Sequence, residues 1–111
     1  MGKYATYRKR GGGGSSVTAL GPPPAPNLED ADGALIVTPN TTEWPGGQFT
    51  LYYSLAGIDP WLFTDNSEAE PIHNWGEISA FESGFYRATE TGNGVDFLGE
   101  SAPSPNFQVE N

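Results

Sequence analysis

Apolar side chains recur at every second position after Gly46-Gly47, and this pattern constrains the fold more than any other feature of the chain. One face of the segment carries Phe49, Leu51, Tyr53 and Leu55, and the other carries Gln48, Thr50, Tyr52 and Ser54. A period of two residues is that of a β-strand with one buried face. Because no segment combines a 3.6-residue period with capping residues, we expect an all-β fold.

Several other short segments have the composition of strands and are separated by glycine or proline turn signals. We expect strands at residues 34–38, 75–81, 84–89 and 106–109, turns at 32–33 and 91–94, and a long loop at 57–71 with room for a short edge strand. Six or seven short strands without a helix favour a sandwich or a barrel. The alternation places the following residues in its core: Leu35, Val37, Phe49, Leu51, Tyr53, Trp75, Ile78, Tyr86, Ala88, Phe107 and Val109.

The glycine and proline content allows two interpretations of the chain. Its 111 residues include 15 Gly and 10 Pro, a composition found in disordered chains and in chains of many strands joined by turns. Three Trp, five Tyr and six Phe favour the second interpretation, since disordered chains contain few large aromatic residues. A chain of this length has room for one domain.

Charge is divided unevenly between the start of the chain and the rest. The first ten residues contain no acid and four basic residues, Lys3, Arg8, Lys9 and Arg10. Residues 11–111 contain one basic residue, Arg87, and all fourteen acidic residues, a formal charge of −13. Gly11–Ser16 has the composition of a flexible coil. We therefore expect a basic, glycine-rich arm and linker at residues 1–21 and a folded domain at 22–111.

The sequence offers little for catalysis, and we expect that the protein is not an enzyme. His73, the one histidine, has no serine–histidine–aspartate arrangement around it. No spacing places two carboxylates on a defined cleft, so we interpret the acidic residues as a solubilising surface. We expect no cofactor and no metal site. The acidic stretches 29–33 and 65–70 are interpreted as turns, with calcium binding as the alternative.

The chain shows neither an export signal nor a membrane segment. It contains no cysteine, and therefore no disulfide and no thiolate metal site. Its basic start is followed by Gly11–Ser16 instead of the apolar segment of a signal peptide. No stretch of the sequence is long and apolar enough to span a bilayer. We expect synthesis in a cytoplasm.

Two stretches resemble known β-sandwich domains. Residues 82–88 (Glu-Ser-Gly-Phe-Tyr-Arg-Ala) are similar to the strand F signature of immunoglobulin domains, with Glu and Ala in place of its Asp and Cys. Residues 86–90 followed by Gly99–Pro105 (Gly-Glu-Ser-Ala-Pro-Ser-Pro) resemble the strand F to strand G segment of fibronectin type III domains. Pro22–Pro26 is similar to the proline-rich entry to their strand A.

The resemblance implies an immunoglobulin-like (fibronectin type III-like) antiparallel β-sandwich over residues 22–111, behind an extended N-terminal arm. It also implies that Tyr86 is a mostly buried structural residue whose hydroxyl bonds backbone at a chain corner. Trp75 is expected in the same core.

The function we expect is that of a virion structural protein, most simply a phage capsid or tail decoration protein. Domains of the resembled types recur on phage capsids and tails. The arm would anchor on an acidic surface or subunit seam of a capsid or tail structural protein through Lys3, Tyr4, Tyr7, Arg8, Lys9 and Arg10. The sandwich would project outward and be available for weak adhesion to host-surface glycans. On the particle it could be monomeric or oligomeric.

Other interpretations stay open. The arm could be a solubilising tail, or Met1–Thr6 could direct N-myristoylation of a cellular binding module. Contact of the arm with nucleic acid is a further alternative. The acidic body disfavours it because like charges repel, and it disfavours binding to anionic membranes for the same reason. Trp61 and Phe63, in the long loop, either cover an end of the sandwich or form a surface hot spot.

Overall fold

The computed structural model describes residues 21–41 and 47–111, and within these residues the chain forms seven strands and one 3₁₀ turn. The strands are β1 (Asn27–Ala31), β2 (Ala34–Thr38), β3 (Gln48–Ser54), β4 (Leu62–Asn66), β5 (His73–Glu77), β6 (Gly84–Thr91) and β7 (Phe107–Val109), with the 3₁₀ turn at Ile78–Ala80. The predicted arm lies outside the described residues, except for Gly21.

The strands form two antiparallel sheets that enclose the core between them. One sheet has the order β1-β2-β5 and the other the order β4-β3-β6-β7. The expected all-β fold is therefore confirmed. No helix in the described part of the chain is long and apolar enough to cross a bilayer.

The core consists of the inward faces of β2, β3, β6 and β7, as the alternation predicted. The buried hydrophobic residues are Leu35, Val37, Phe49, Leu51, Tyr86, Ala88 and Val109, all of them predicted. Four more predicted core residues, Tyr53, Trp75, Ile78 and Phe107, are half-buried and pack against this core. Leu28 and Phe81 also pack there and were not predicted.

The first hairpin depends on a tight turn at Asp32-Gly33. Both residues have positive φ, 54° and 88°, as a two-residue type I′ turn requires and as glycine adopts without strain. Gly33 N–H also donates to Asp30 Oδ1 at 2.8 Å. The acidic stretch 29–33 is thus the end of β1 and its turn.

Three buried serines, Ser67, Ser101 and Ser104, bind the four-stranded sheet in the same way, and we call these contacts the serine clamps. In each clamp the serine N–H donates to a strand carbonyl at 2.8 Å, and the same strand residue donates its N–H to the serine Oγ at 2.9–3.0 Å. The strand residues are Phe49, Glu90 and Ala88 respectively. Each serine hydroxyl then donates to the carbonyl of the following residue.

The clamps supply the backbone hydrogen bonds that a regular strand would otherwise make. Pro103 and Pro105 have no N–H, so the segment before β7 cannot run as a continuous ladder beside β6. Ser101 and Ser104 satisfy the N–H groups of Glu90 and Ala88 instead. The serines of the Gly99–Pro105 motif therefore have a structural role in the sheet.

Several predicted strand limits were wrong. The strand predicted at 75–81 spans His73–Glu77, because Ala34, the first residue of β2, pairs with Glu77 and leaves no partner beyond it. Leu55 was placed on the core face of β3 but is 75% exposed. The strand ends at Ser54, whose hydroxyl bonds Gly57 N–H and Ile58 C=O and turns the chain away.

Tyr86 occupies the corner position that the sequence predicted. Its side chain is buried, and its hydroxyl donates to the carbonyl of Glu82 at 3.0 Å. The ring packs against the rings of Tyr53 and Phe81, with centroids 5.1 and 5.3 Å away. This contact joins β6 to the segment that enters it from the other sheet.

Glu90 is a buried carboxyl on the inward face of β6, paired in register with Phe49. Neither of its oxygens has a hydrogen-bond partner among the described residues. Burial disfavours the ionised form and raises the pKa of the Glu90 carboxyl above its ordinary value.

Replacing Ser104 by alanine should destabilise the fold by about 1–3 kcal/mol, because the buried N–H of Ala88 would lose its acceptor. Urea unfolding followed by tryptophan fluorescence measures the loss, and hydrogen exchange should accelerate at the Ala88 amide. Ser79→Ala, at an exposed serine, is the control. Equal stability of the two variants would contradict a structural role for the clamp.

Glu90 should make stability fall as pH rises. The folded protein retains its proton to higher pH than the unfolded chain does, so the stabilisation is complete below the unfolded pKa and is lost as pH rises through the folded pKa. As the pH is lowered from 8 to 4, the melting temperature of the wild type should therefore rise relative to that of Glu90→Gln. Glu29→Gln, which removes a charge from an exposed position, is the control; parallel melting profiles for the wild type and Glu90→Gln would exclude the effect.

Candidate functional site

The outer face of the four-stranded sheet carries a cleft with aromatic and charged walls. Tyr52 on β3 and Arg87 on β6 lie opposite each other in the ladder, and both point away from the core. Loops from either side of the sheet complete a cleft of about 340 Å³. We call it the outer-face cleft; its lining residues are Tyr52, Asp59, Trp61, Arg87, Thr89, Glu100, Ser101 and Pro103.

The loop at residues 55–61 forms one wall because it folds back over the sheet. The hydroxyl of Ser54 begins this turn, and Asn106 Nδ2 holds the loop through Gly57 C=O at 3.3 Å. Gly57 has φ +81°, and a Cβ there would lie 3.1 Å from the ring of Phe85. Glycine is therefore required for the loop to approach the sheet and carry Asp59 and Trp61 to the cleft.

Trp61 and Arg87 pack together at the centre of the cleft. The Arg87 guanidinium carbon lies 4.1 Å from the centroid of the Trp61 ring, a cation–π contact. Both side chains are half-buried, and Arg87 Nε is buried without a hydrogen-bond partner in the described chain. No carboxylate of the described residues is within ion-pair distance of Arg87. Among the described residues, Arg87 is thus held by an aromatic ring and not by an acid.

Glu100 forms the opposite wall. Its Oε2 accepts hydrogen bonds from Tyr52 Oη and from Thr89 Oγ1, both at 2.5 Å. The clamp at Ser101 holds the neighbouring backbone against β6 and so fixes the position of this carboxylate. Burial raises the pKa of the Tyr52 phenol, and the hydrogen bond to Glu100 and its negative charge raise it further, against smaller opposing effects of Thr89 and Arg87.

The cleft combines groups suited to binding a polar ligand with an apolar side. The Arg87 guanidinium donates hydrogen bonds, while the Asp59 and Glu100 carboxylates accept them. The rings of Trp61 and Tyr52 supply apolar surface beside these groups.

The predicted hot-spot residues Trp61 and Phe63 do not share one recess. Trp61 lines the outer-face cleft, whereas Phe63 is 62% exposed and borders a recess of about 520 Å³ at the free edge of β4. Of the other predicted site residues, Trp75 and Tyr86 belong to the core. The predicted partner-binding residues of the arm (Lys3, Tyr4, Tyr7, Arg8, Lys9 and Arg10) lie outside the described residues.

Most of the cleft was not predicted as a site. Alternation on β3 and β6 does place Tyr52 and Arg87 outward, and the isolation of Arg87 in an acidic body was a usable signal. Asp59 and Glu100 come from loops that no periodicity describes, so their approach to Arg87 is visible only in three dimensions.

The acidic stretches are not arranged as metal sites in the described residues. No group of three or more His, Asp or Glu side chains in residues 21–41 and 47–111 could hold a metal ion. His73 instead bonds Glu70 at 3.0 Å and contacts the Trp75 ring edge-on, with centroids 4.3 Å apart.

No protein-family model matches the chain, and no curated protein matches it significantly.

Removing the Glu100 carboxylate should lower the pKa of Tyr52 toward, but not to, the ordinary value of a phenol, since burial of the phenol remains. In Glu100→Gln, NMR titration of ¹³Cζ-labelled tyrosine should show the Tyr52 midpoint at lower pH than in the wild type. Glu68→Gln, at an exposed carboxylate distant in the chain, controls for the change in net charge. An unchanged Tyr52 midpoint in Glu100→Gln would show that the contact has no electrostatic effect.

Proposed function

We propose that the protein is a virion structural protein, a capsid or tail decoration protein, whose N-terminal arm attaches to the particle and whose β-sandwich is displayed on it as a non-catalytic binding domain. The observation that carries the proposal is the division of charge. Four basic residues precede a glycine run, and the folded body that follows has a formal charge of −13.

The order of the strands supports a domain of immunoglobulin-like, fibronectin type III-like topology. A three-stranded sheet β1-β2-β5 faces a four-stranded sheet β4-β3-β6-β7, which corresponds to strands A, B and E against C′, C, F and G. The bond from Tyr86 Oη to Glu82 C=O has the form of the tyrosine corner that precedes strand F in such domains. Domains of this kind act by presenting a surface.

Charge favours attachment through the arm. An acidic body repels other acidic surfaces and remains monodisperse, while a basic arm is attracted to an acidic shell. Tyr4 and Tyr7 add aromatic groups of the kind that dominate binding energy at protein interfaces. A glycine linker lets the arm bind in one place and the sandwich stand in another.

The described body supports the proposal by offering a binding surface of its own. The outer-face cleft lies on the sheet and away from the core, so a ligand could bind it without disturbing the fold. We propose weak adhesion to host-surface glycans as the role of this displayed face.

Deleting residues 2–14 should leave a folded domain that no longer joins the particle, because the basic and tyrosine residues of the arm would be gone. Co-expression with the particle's structural proteins, followed by particle purification and quantification of the bound chain, measures incorporation. A variant with Lys3, Arg8, Lys9 and Arg10 replaced by glutamine tests the charge alone, and circular dichroism checks the fold.

Full incorporation of the truncated chain would refute attachment through the arm. Two other results would replace the proposal. A gain of one acyl chain on Gly2 would indicate a membrane-anchored cellular module, and binding to nucleic acid that weakens steeply with salt would indicate a nucleic-acid contact.

A further inference from the structure

The outer-face cleft has the mixture of groups that recognises a sugar. A hexose presents hydroxyls that both donate and accept hydrogen bonds, together with an apolar ring face. The cleft offers the Arg87 donor, the Asp59 and Glu100 acceptors and the Trp61 ring within about 340 Å³. Hydrogen bonds between a charged group and a neutral partner are stronger than those between two neutral groups.

Electrostatics decides which sugars the cleft can accept. Two carboxylates and one guanidinium line it, and the surrounding body is strongly acidic. A carboxylated or sulfated sugar would gain the attraction of Arg87 but would meet repulsion from Asp59, Glu100 and the rest of the domain. A neutral sugar has no such repulsion, and its hydroxyls can donate to the carboxylates.

Arg87 is prepared for a hydroxyl ligand in a way that an arginine in an ion pair is not. Its guanidinium lies against Trp61, and none of its nitrogens donates a hydrogen bond to the described residues. The contact with the Trp61 ring restricts the Arg87 side chain without occupying its terminal donors, so less conformational entropy is lost when a ligand binds them.

Glu100 is similarly fixed. Tyr52 and Thr89 both bond its Oε2, and in the described residues its Oε1 has no hydrogen-bond partner. A ligand hydroxyl can donate to that second oxygen without breaking the contacts that hold the carboxylate in place.

We propose that the outer-face cleft binds a neutral hexose unit of a glycan, with Arg87 donating to sugar oxygens, Asp59 and Glu100 accepting from sugar hydroxyls, and Tyr52 and Trp61 supplying apolar surface beside them. This inference rests on the proposed display function and specifies the ligand of the displayed face. Because the cleft is small and open, each site binds weakly, with a dissociation constant on the order of millimolar. Many copies on one particle would convert weak sites into stable attachment.

The test is NMR titration of the ¹⁵N-labelled full chain with neutral oligosaccharides of glucose, galactose, mannose and N-acetylglucosamine, each paired with its uronic acid- or sialic acid-bearing counterpart. At least one neutral compound should shift the Arg87 and Thr89 amides and the Trp61 indole in a saturable way. Its acidic counterpart should bind roughly tenfold more weakly or worse.

Three variants localise the site. Trp61→Ala removes the ring, and Asp59→Asn removes one carboxylate with almost no change in shape; each should weaken binding roughly tenfold or more. Phe63→Ala, which removes an exposed aromatic ring at the β4 edge, should bind as the wild type does. No shift with any neutral compound, stronger binding of the acidic counterparts, or equal binding by Asp59→Asn would overturn the inference.

Failure of this inference can be distinguished from failure of the proposed function. Trp61→Ala and Asp59→Asn should join particles as the wild type does, because the arm is intact. If the arm deletion still joins particles while the cleft binds neutral sugars, the display proposal fails and the sugar site stands. If the arm-deleted chain is absent from particles and no neutral sugar binds the cleft, the display proposal stands and the sugar site fails.

Discussion

The serine clamps are the contacts on which both the sheet and the cleft depend. Ser101 and Ser104 give β6 hydrogen bonds on a side where Pro103 and Pro105 prevent a regular strand. The irregular segment is thereby fixed in place, and the side chain of Glu100 lies over Tyr52 and Thr89. A regular strand in the same position would have used its N–H groups for the ladder and left no loop to form the wall of a cleft.

Strand β6 connects the stability of the domain to its proposed function. Its inward residues, among them Tyr86, contribute to the core and to the corner bond at Glu82. Its outward residues, Arg87 and Thr89, line the cleft. Because the two sets alternate along one rigid central strand, the core fixes the position of the guanidinium to within the small freedom of a packed sheet.

How much could be predicted from the sequence follows from how local each feature is. The faces of β3 and β6 were predictable because alternation is a property of consecutive residues, and the Asp32-Gly33 turn because its φ values suit those residue types. The end of β5 was not predictable, since it depends on where β2 begins in another part of the chain. The cleft was least predictable of all: Asp59, Arg87 and Glu100 are brought together by a loop that folds back over Phe85 and by a clamp at Ser101, and neither leaves a periodic signal.

The acidic surface and the single stacked arginine are consistent with one another. A domain displayed in many copies benefits from net charge that keeps neighbouring copies apart. The positive charge of Arg87 would attract any nearby acid, but no carboxylate of the described residues lies within ion-pair distance, and the guanidinium packs over the Trp61 ring instead. The arginine therefore retains its terminal donors on a surface where almost every other charged group is an acceptor. This local contrast supports the proposed binding of a neutral, hydroxyl-rich ligand at the outer-face cleft.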